Sequence, residues 1–291
     1  MGNLTIAVLG GLLGMLGFGT SNFLAKKTIG VMSSLQVLIF SQFIGAGFMT
    51  LYLIREPALP ALTPPNLRSV LVFGLLNALA YVLLYRALDV GKASIVTPIS
   101  STFNIAVPIV SFFLFHESFS GSKIVALVLV VVGVVLTAVQ SAGVGEQGGD
   151  LAKGLPYVAG WVLIWAFYLP FWDRFIEGDG WVVWVILVKV VLVVAVTLYA
   201  SLVQKEKLGF GSKTLLLWLV MIGVCETVGN LGMTWAFNAS VNTTSIITAL
   251  VSASPLVTVL LALAVLKERV AAHQGIGIGL IIVGMVILPF I

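Results

Sequence analysis

Two charged side chains, Lys189 and Glu226, stand near the middle of two long apolar segments that follow one another along the chain. If these segments cross a membrane, each charge costs about 2.5–3.5 kcal/mol at the centre of its helix, so such residues usually face the protein interior and pair. Neighbouring segments make a Lys189–Glu226 contact feasible. We therefore expect Glu226 to bind substrate or a proton, with Lys189 as its partner. The alternative is a buried ion pair that only locks the fold.

Proton exchange at Glu226 is one chemistry that this pair could perform. Burial disfavours the charged form of a carboxyl group, whereas a nearby ammonium favours it. Glu226 could then take up and release a proton as a cavity around it opens and closes. The pair therefore makes a proton a candidate partner alongside a small-molecule substrate.

Polar side chains recur at helical spacing on the apolar segments around this pair. Residues three or four apart share one face of a helix, so these segments have polar inner faces. Unpaired amides are costly in lipid, whereas hydroxyl and small residues also hold membrane helices together. A role in binding and a role in helix packing therefore both stay open for each Ser and Thr. The candidate substrate- or proton-binding residues are Glu226, Lys189, Asn230, Asn77, Tyr81, Gln42, Asn104, Ser101, Thr97, Thr248, Ser252, Trp165, Tyr168 and Asn22.

Aromatic residues and prolines add two further features. Trp165 and Tyr168 belong to an aromatic run at helical spacing, and together with Glu226 they would favour an amine through cation–π attraction; core packing is the alternative. A proline in a span frees a backbone carbonyl about one turn earlier, which is tolerated only where that carbonyl meets protein, water or ligand. The prolines expected to interrupt spans are Pro98 and Pro108 in the fourth, Pro170 in the sixth and Pro255 in the ninth.

The composition requires a membrane environment. Of the 291 residues, 60% are hydrophobic and 9% are charged, whereas about 25% of residues are charged in soluble domains. Because a spanning helix needs about 20 apolar residues, the sequence predicts an all-α integral membrane protein of about ten transmembrane helices. The predicted spans are 3–25, 33–54, 67–89, 93–115, 121–140, 153–172, 180–203, 213–236, 242–266 and 272–291.

Charge and motifs argue against several other classes of protein. The net charge is +4, but the basic residues stand at span ends, where they meet lipid headgroups. We therefore expect membrane lipid as a partner and no nucleic acid. The single cysteine, Cys225, and the separated histidines His116 and His273 form no metal-binding pattern. Catalytic motifs are absent, so we expect no enzyme activity, no cofactor and no metal.

The sequence repeats itself at long range, which is the signature of a duplicated architecture. A gly-rich, acidic linker at residues 141–150 separates two predicted five-helix units, 1–140 and 151–291. Because five is odd, the second unit must lie upside down, as inverted repeats of secondary transporters do; the alternative is a duplicated membrane protein without a transport role. A shift of 151 residues aligns Ser94 with Ser245, Thr97 with Thr248, Glu117 with Glu268 and Gly133 with Gly284.

Three stretches resemble a known family. They are GFGTSNFLAKK at 17–27, ALDVGKASIVTPISSTFNIAVPIVSFFLFHES at 87–118 and NASVNTTSIITALVSASPLVTVLLALAVLKERV at 238–270. They resemble the EamA-like domain of the drug/metabolite transporter superfamily, twice over. The resemblance implies a ten-span carrier or exporter of amino acids, sugars, nucleotide precursors or other metabolites. Two departures are Phe18, where relatives carry Trp, and Gln42, where relatives often carry Arg, which weakens the case for an anionic substrate.

Two classes of function remain in view. The first is a secondary transporter that moves a small polar metabolite, an amino acid or related amine, by alternating access and with proton coupling. The second is a membrane scaffold or sensor whose cavity only binds its ligand. A carrier of lipid-linked or sugar substrates is a further alternative, and the absence of a nucleotide-binding motif argues against direct coupling to ATP in this chain.

The expected location is a prokaryotic cytoplasmic membrane, which the chain crosses many times. An even number of spans puts both termini on the same side. Basic residues are more numerous in the loops of the other side, so the positive-inside rule places the termini outside. The family resemblance implies the reverse, with cytoplasmic termini, and the sequence leaves this conflict open.

Overall fold

A computed structural model of the chain describes residues 2–52, 62–115, 121–138, 151–175, 181–205, 209, 212–239, 247 and 250–287. One predicted site residue, Thr248, lies outside these ranges. So do Glu117 and Ser245, which the repeat alignment pairs with Glu268 and Ser94.

The described residues form helices, as predicted. Six of these helices are long and apolar enough to cross a membrane, and four shorter apolar segments occupy the places of the predicted fourth, fifth, ninth and tenth spans. The helices are α1 (Asn3–Ile29), α2 (Ser34–Tyr52), α3 (Pro64–Val90), α4 (Ala93–Ser100), α5 (Phe103–Phe115), α6 (Gly121–Ala138), α7 (Leu151–Phe175), α8 (Trp181–Leu198, continued by a π-helical turn at Tyr199–Val203), α9 (Lys213–Ala239), α10 (Ser254–Val265) and α11 (Ala272–Ile287).

The outer surface of the bundle is apolar, and polar side chains are concentrated inside. Phe43, Leu79 and Val194 are more than half exposed, which is stable only against hydrocarbon. The helix is favoured here because lipid offers no partner to a backbone N–H or C=O, so each segment must satisfy its own. The all-α membrane architecture predicted from composition is therefore confirmed.

The packing of α6 against α11 shows how the two repeats are related. A Cβ atom placed on Gly133 would lie 2.6 Å from the Gly277 carbonyl oxygen, and one placed on Gly284 would lie 3.0 Å from the Ala126 oxygen. The shift of 151 residues carries Gly133 onto Gly284 and Ala126 onto Gly277. The two close approaches are thus one contact seen twice, as a two-fold relation requires. This layout fits the predicted inverted repeat.

The fourth and ninth spans are broken at equivalent places. In the first repeat, α4 ends at Ser100 and α5 begins at Phe103. In the second, helical residues 250–252 are followed by a turn at Ala253, and α10 begins at Ser254. Pro255 lies in the first turn of α10, where its missing N–H has no helical partner to lose. A broken helix at membrane depth leaves backbone groups that must meet protein, water or ligand.

The interruptions expected at Pro98, Pro108 and Pro170 are wrong. The chain stays helical through Pro98 in α4 and Pro108 in α5, and α7 runs through both Pro156 and Pro170 without a break. A proline removes only one backbone hydrogen bond of its helix. In lipid no water competes for the remaining backbone hydrogen bonds of the helix. The loss of one such bond therefore bends a span more readily than it terminates the helix.

Candidate functional site

Four polar side chains from four helices meet in the interior of the bundle. The Lys189 ammonium lies 2.9 Å from Glu226 Oε1 and 2.7 Å from Gln42 Oε1. Gln42 Nε2 donates to Glu226 Oε2 at 2.6 Å, and the Tyr81 hydroxyl donates to Glu226 Oε1 at 3.0 Å. The contact between Lys189 and Glu226 that their sequence positions made feasible is present. We call Gln42, Tyr81, Lys189 and Glu226 the central cluster.

The central cluster is electrically neutral and internally satisfied. Gln42, Lys189 and Glu226 are all buried, and both carboxylate oxygens of Glu226 accept hydrogen bonds. Removing two charges from water is costly, and their attraction repays that cost only when other hydrogen bonds complete the site. The amide of Gln42 does this for both charges at once, because it accepts from Lys189 and donates to Glu226.

Gln42 and Lys189 hold equivalent positions in the two repeats. Each lies eight residues after the first residue of its helix, Ser34 in α2 and Trp181 in α8, so the shift between the repeats is 147 residues here and 151 in the fourth and fifth spans. Equivalent residues of two symmetry-related units can touch only beside the axis that relates the units. The Gln42–Lys189 contact of the central cluster therefore lies beside the pseudo-two-fold axis, at the interface between repeats where inverted-repeat transporters place substrate and coupling ions.

Close helix packing brings Glu226 within reach of Gln42. A Cβ atom on Gly223 of α9 would lie 2.6 Å from the Ser41 carbonyl oxygen of α2, so only glycine permits this approach. One turn further along α9, the Thr227 hydroxyl donates to the Gly45 carbonyl at 3.2 Å. These contacts hold α2 and α9 at the short separation that the Gln42–Glu226 hydrogen bond requires.

Aromatic side chains form a wall beside the central cluster. The Tyr81 ring meets Trp161 edge to face at 5.4 Å between centroids, and Trp161 lies 5.3 Å from Trp165. Trp165 in turn lies 4.9 Å from Tyr168 and 5.6 Å from Phe103. Phe103 is the first residue of α5 after the break, so the broken span also contributes to this wall. Phe103 was not among the predicted residues, and no spacing marks it in the sequence.

Two buried polar atoms in or beside this wall have no hydrogen-bond partner among the described residues. They are Asn77 Oδ1 and Trp165 Nε1, and among the described residues only Ser34 Oγ shares this state. Asn77 precedes Tyr81 by one turn of α3, and its side chain also faces the Tyr168 hydroxyl. An unsatisfied buried polar atom costs about 1–3 kcal/mol, so both atoms are available to a hydrogen-bonding partner. One atom is an acceptor and the other a donor.

Other predicted residues satisfy themselves locally. Asn230 Nδ2 donates to the Glu226 carbonyl at 3.0 Å, and Asn104 Nδ2 donates to the Ser101 carbonyl at 3.0 Å, next to the break. The Thr97 hydroxyl donates to the Ala93 carbonyl at 2.8 Å. These bonds stay within one segment, as short polar side chains in helices often do. They shape the helices around the cluster and do not join it.

The remaining predicted residues lie apart from the central cluster. Ser252 is buried just before the turn at Ala253, and Asn22 is half-buried on α1. Tyr85, one turn beyond Tyr81, extends the polar interior, because its hydroxyl lies 3.3 Å from Ser41 Oγ. The helical spacing of Tyr81 and Tyr85 is the signal that points to it.

The chain is similar to known proteins in its sequence family and in its fold. The model of the EamA-like transporter family matches it twice, over residues 5–139 and 152–289. No curated protein matches the sequence. One solved structure, described only as the crystal structure of a protein, is 18% identical with a TM-score of 0.68, over 96% of this chain and 94% of that one. That likeness concerns the fold alone.

Proposed function

Because the chain belongs to the EamA-like transporter family, we propose that it is a secondary transporter that carries a small polar metabolite by alternating access. Family membership places it in a membrane as a multi-pass protein and implies a small-molecule substrate. The observation that carries the proposal is the neutral, buried central cluster beside the axis between the repeats. A site beside that axis can face either side of the membrane in turn.

The substrate binds between the central cluster and the aromatic wall. Its acceptor group accepts a hydrogen bond from the Trp165 N–H and its donor group donates to Asn77 Oδ1, two atoms to which the described residues offer no partner. A cationic amine would be attracted by the faces of the surrounding rings and by Glu226. A zwitterion or amine that offers both a donor and an acceptor satisfies these groups, so an amino acid or related amine is the proposed substrate class.

Proton coupling follows from the composition of the central cluster. Glu226 supplies the only negative charge that the Lys189 ammonium contacts in the described residues. Protonation of Glu226 removes that charge and leaves a buried ammonium without a counter-ion, which is strongly unfavourable. Proton uptake would therefore be linked to rearrangement of Lys189 and Gln42, and so to exchange of substrate.

The moving parts in this proposal are the two repeats, taken as units 1–140 and 151–291. The equivalent breaks after Ser100 and at Ala253 are places where a span can bend, because helix ends absorb changes in backbone angle more easily than helix centres do. A prokaryotic cytoplasmic membrane, where a proton gradient is available, is the proposed location.

A lipid-linked substrate is the second candidate, and one observation favours it. An apolar groove on the outer face lies between α2 and α8, lined by residues such as Phe43, Gly47, Ile186 and Val190. Phe43 and Val190 directly follow Gln42 and Lys189 in sequence, so the groove lies outside the cluster on its lipid side. A phosphorylated sugar is disfavoured, because Lys189 is already neutralised by Glu226.

Uptake into proteoliposomes tests the proposal. A panel of zwitterionic amino acids, amines, neutral sugars and acyl-chain conjugates is offered to wild type and to Glu226→Gln, with and without a proton gradient. We expect wild type to accumulate an amine or amino acid with the gradient, and Glu226→Gln to lose this gradient dependence. Normal, proton-dependent transport by Glu226→Gln would eliminate the proton site. Saturable binding of a ligand without any transport would favour the scaffold or sensor.

A further inference from the structure

At one end of the bundle, the carboxylate of Glu268 crosses from the second repeat to the first. It follows α10 in the chain, yet it accepts hydrogen bonds at the start of α4. The Ala93 N–H lies 3.0 Å from Glu268 Oε1, and the Ser94 N–H lies 2.9 Å from Oε2. The Ser94 hydroxyl donates to the same Oε2 at 2.5 Å.

These three hydrogen bonds cap α4 from outside its own repeat. The first N–H groups of a helix have no partner within the helix and carry partial positive charge, so a carboxylate there is strongly favoured. The residue before α4, Lys92, makes no capping bond with its side chain. Glu268 therefore caps the N-terminus of α4 in place of a residue adjacent in sequence. Its hydrogen bonds also join the two repeats.

The backbone around Glu268 is shaped to deliver this carboxylate. Lys267 has φ of 54°, and among the described residues only Lys205 is another non-glycine residue with positive φ. This left-handed conformation is sterically unfavourable for a residue with a Cβ, but it terminates a helix effectively. The turn is closed by a bond from the Glu268 N–H to the Ala262 carbonyl at 3.3 Å. It directs Glu268 back over the bundle.

Two lysines strengthen the same end of the bundle. Lys92 Nζ donates to the Arg269 carbonyl at 2.8 Å, which makes a second bond between the repeats. Lys26 Nζ donates to the Leu88 and Gly91 carbonyls at 2.5 and 2.7 Å, so it ties the end of α1 to the end of α3. Some of the positive charge on this side is thus used within the protein, which weakens its value as a marker of membrane orientation.

Burial along the fourth span shows that this end is closed. All eight residues of α4, from Ala93 to Ser100, are buried. Beyond the break, the residues from Ser101 to Asn104 are only half-buried. The fourth span is thus packed most tightly along α4, which lies on the Glu268 side of the break.

We propose that Glu268 is the latch of the gate on this side of the membrane. The proposal rests on the alternating access proposed above and names the contact that must open. For the interior to reach the Glu268 side, α4 must separate from α10, against which it packs. That movement breaks all three bonds to Ala93 and Ser94 together, so Glu268 sets how often this gate opens.

Chemical labelling of a residue behind the latch tests this proposal. Ser100 is buried at the inner end of α4, and Ser100→Cys in a Cys225→Ser background gives a single thiol there. Sealed proteoliposomes of known orientation are treated with a membrane-impermeant maleimide from each side in turn. The latch variant is Glu268→Gln, which has one acceptor oxygen in place of two and no charge. The matched control is Asp89→Asn, which removes a carboxylate at the same end that is about one-third exposed and forms an ion pair with Arg86.

We expect Glu268→Gln to raise the labelling rate of the thiol from the Glu268 side about tenfold, because charge-assisted bonds are roughly twice as strong as neutral ones. Asp89→Asn should leave the rate unchanged. Equal rates in wild type and Glu268→Gln would overturn the latch. Faster labelling of Glu268→Gln from both sides would mean that the substitution loosens the fold. In that case Ser94→Ala is the deciding variant. It must raise labelling from the Glu268 side alone, and any other result would overturn the latch.

Labelling needs no transported substrate, so the two proposals fail separately. An opened gate in Glu268→Gln, in a protein that transports nothing on the panel, supports the latch and contradicts the transport proposal. Unchanged labelling in a protein that transports an amine contradicts the latch and leaves the transport proposal standing.

Discussion

The amide oxygen of Gln42 lies 2.7 Å from the ammonium of Lys189, although the two residues are 147 positions apart and equivalent in the two repeats. Symmetry brings the two positions together, but the residue types differ, since one is a neutral amide and the other a cation. Both charged residues, Lys189 and Glu226, therefore belong to the second repeat, although the helices that carry the cluster are arranged almost symmetrically. In the alternating access proposed above, such asymmetry would let the two facing states differ in energy.

The pair of Lys189 and Glu226 should behave as one unit in stability. Glu226→Gln leaves the Lys189 ammonium buried without a counter-ion, which we expect to cost about 3–5 kcal/mol. The double variant Lys189→Met/Glu226→Gln should recover most of that loss, because both charges are gone. Unfolding in detergent, followed by a double-mutant cycle, measures this coupling.

Arg86→Gln is the control for that cycle. It removes one partner of an ion pair with Asp89 that is 3.6 Å long and about one-third exposed, so it should cost less than about 1 kcal/mol. A double variant at Lys189 and Glu226 no more stable than Glu226→Gln alone would show that the charges do not stabilise each other.

Tyr81 should matter to Glu226 in a way that Tyr85 does not. Tyr81→Phe removes the hydroxyl that donates to Glu226 Oε1, whereas Tyr85→Phe removes one that faces Ser41. A hydrogen bond to a charged group is worth about 1.5–3 kcal/mol, so transport by Tyr81→Phe should fall about tenfold in kcat/KM, with a changed pH profile. Transport assays at several pH values compare the two variants. Equal losses in both would remove Tyr81 from the site.

Substitutions at Trp165 and Trp161 should have different effects, the first on substrate affinity and the second on the stability of the protein. Trp161 Nε1 donates to the Ser100 carbonyl at 3.1 Å, whereas Trp165 Nε1 has no partner in the part of the chain that the structure describes. Trp165→Phe should therefore lose no internal hydrogen bond and lower the affinity for substrate, while Trp161→Phe should lower stability by about 1 kcal/mol. Ligand titration and thermal unfolding of both variants check this. Unchanged affinity in Trp165→Phe would mean that its N–H does not meet the substrate.

The glycines of the α6–α11 interface should be sensitive to size. Gly133→Ala would place a Cβ atom 2.6 Å from the Gly277 oxygen, so we expect a loss of about 1–3 kcal/mol from overpacking and a lower yield of folded protein. Gly279→Ala is the matched control, because in the described part of the chain no atom beyond its own helix backbone lies within 4 Å of its Cβ position. Alanine is a better helix former than glycine by about 1 kcal/mol, so the control should be neutral or slightly stabilising. Size-exclusion profiles and thermal unfolding compare the two.

The long apolar segments, the repeat at 151 residues and the two charges at mid-span were all readable from the sequence, and so was the feasible contact of Lys189 with Glu226. Hydropathy is a local property, because lipid selects apolar side chains and self-satisfied helices segment by segment. A duplication is equally visible along the chain. For these reasons the all-α fold, the number of apolar segments and the position of the rarest charges needed no knowledge of packing.

Only the tertiary structure decided which polar side chains meet. Gln42 and Tyr81 join Glu226, while Asn230 and Asn104 at similar helical spacing bond to their own backbone. A polar side chain in a span can satisfy itself locally or across helices, and the choice depends on how closely the helices approach. The same holds for Glu268, whose partners Ala93 and Ser94 lie about 175 residues away: no local pattern reports a contact that two repeats make only when they are packed.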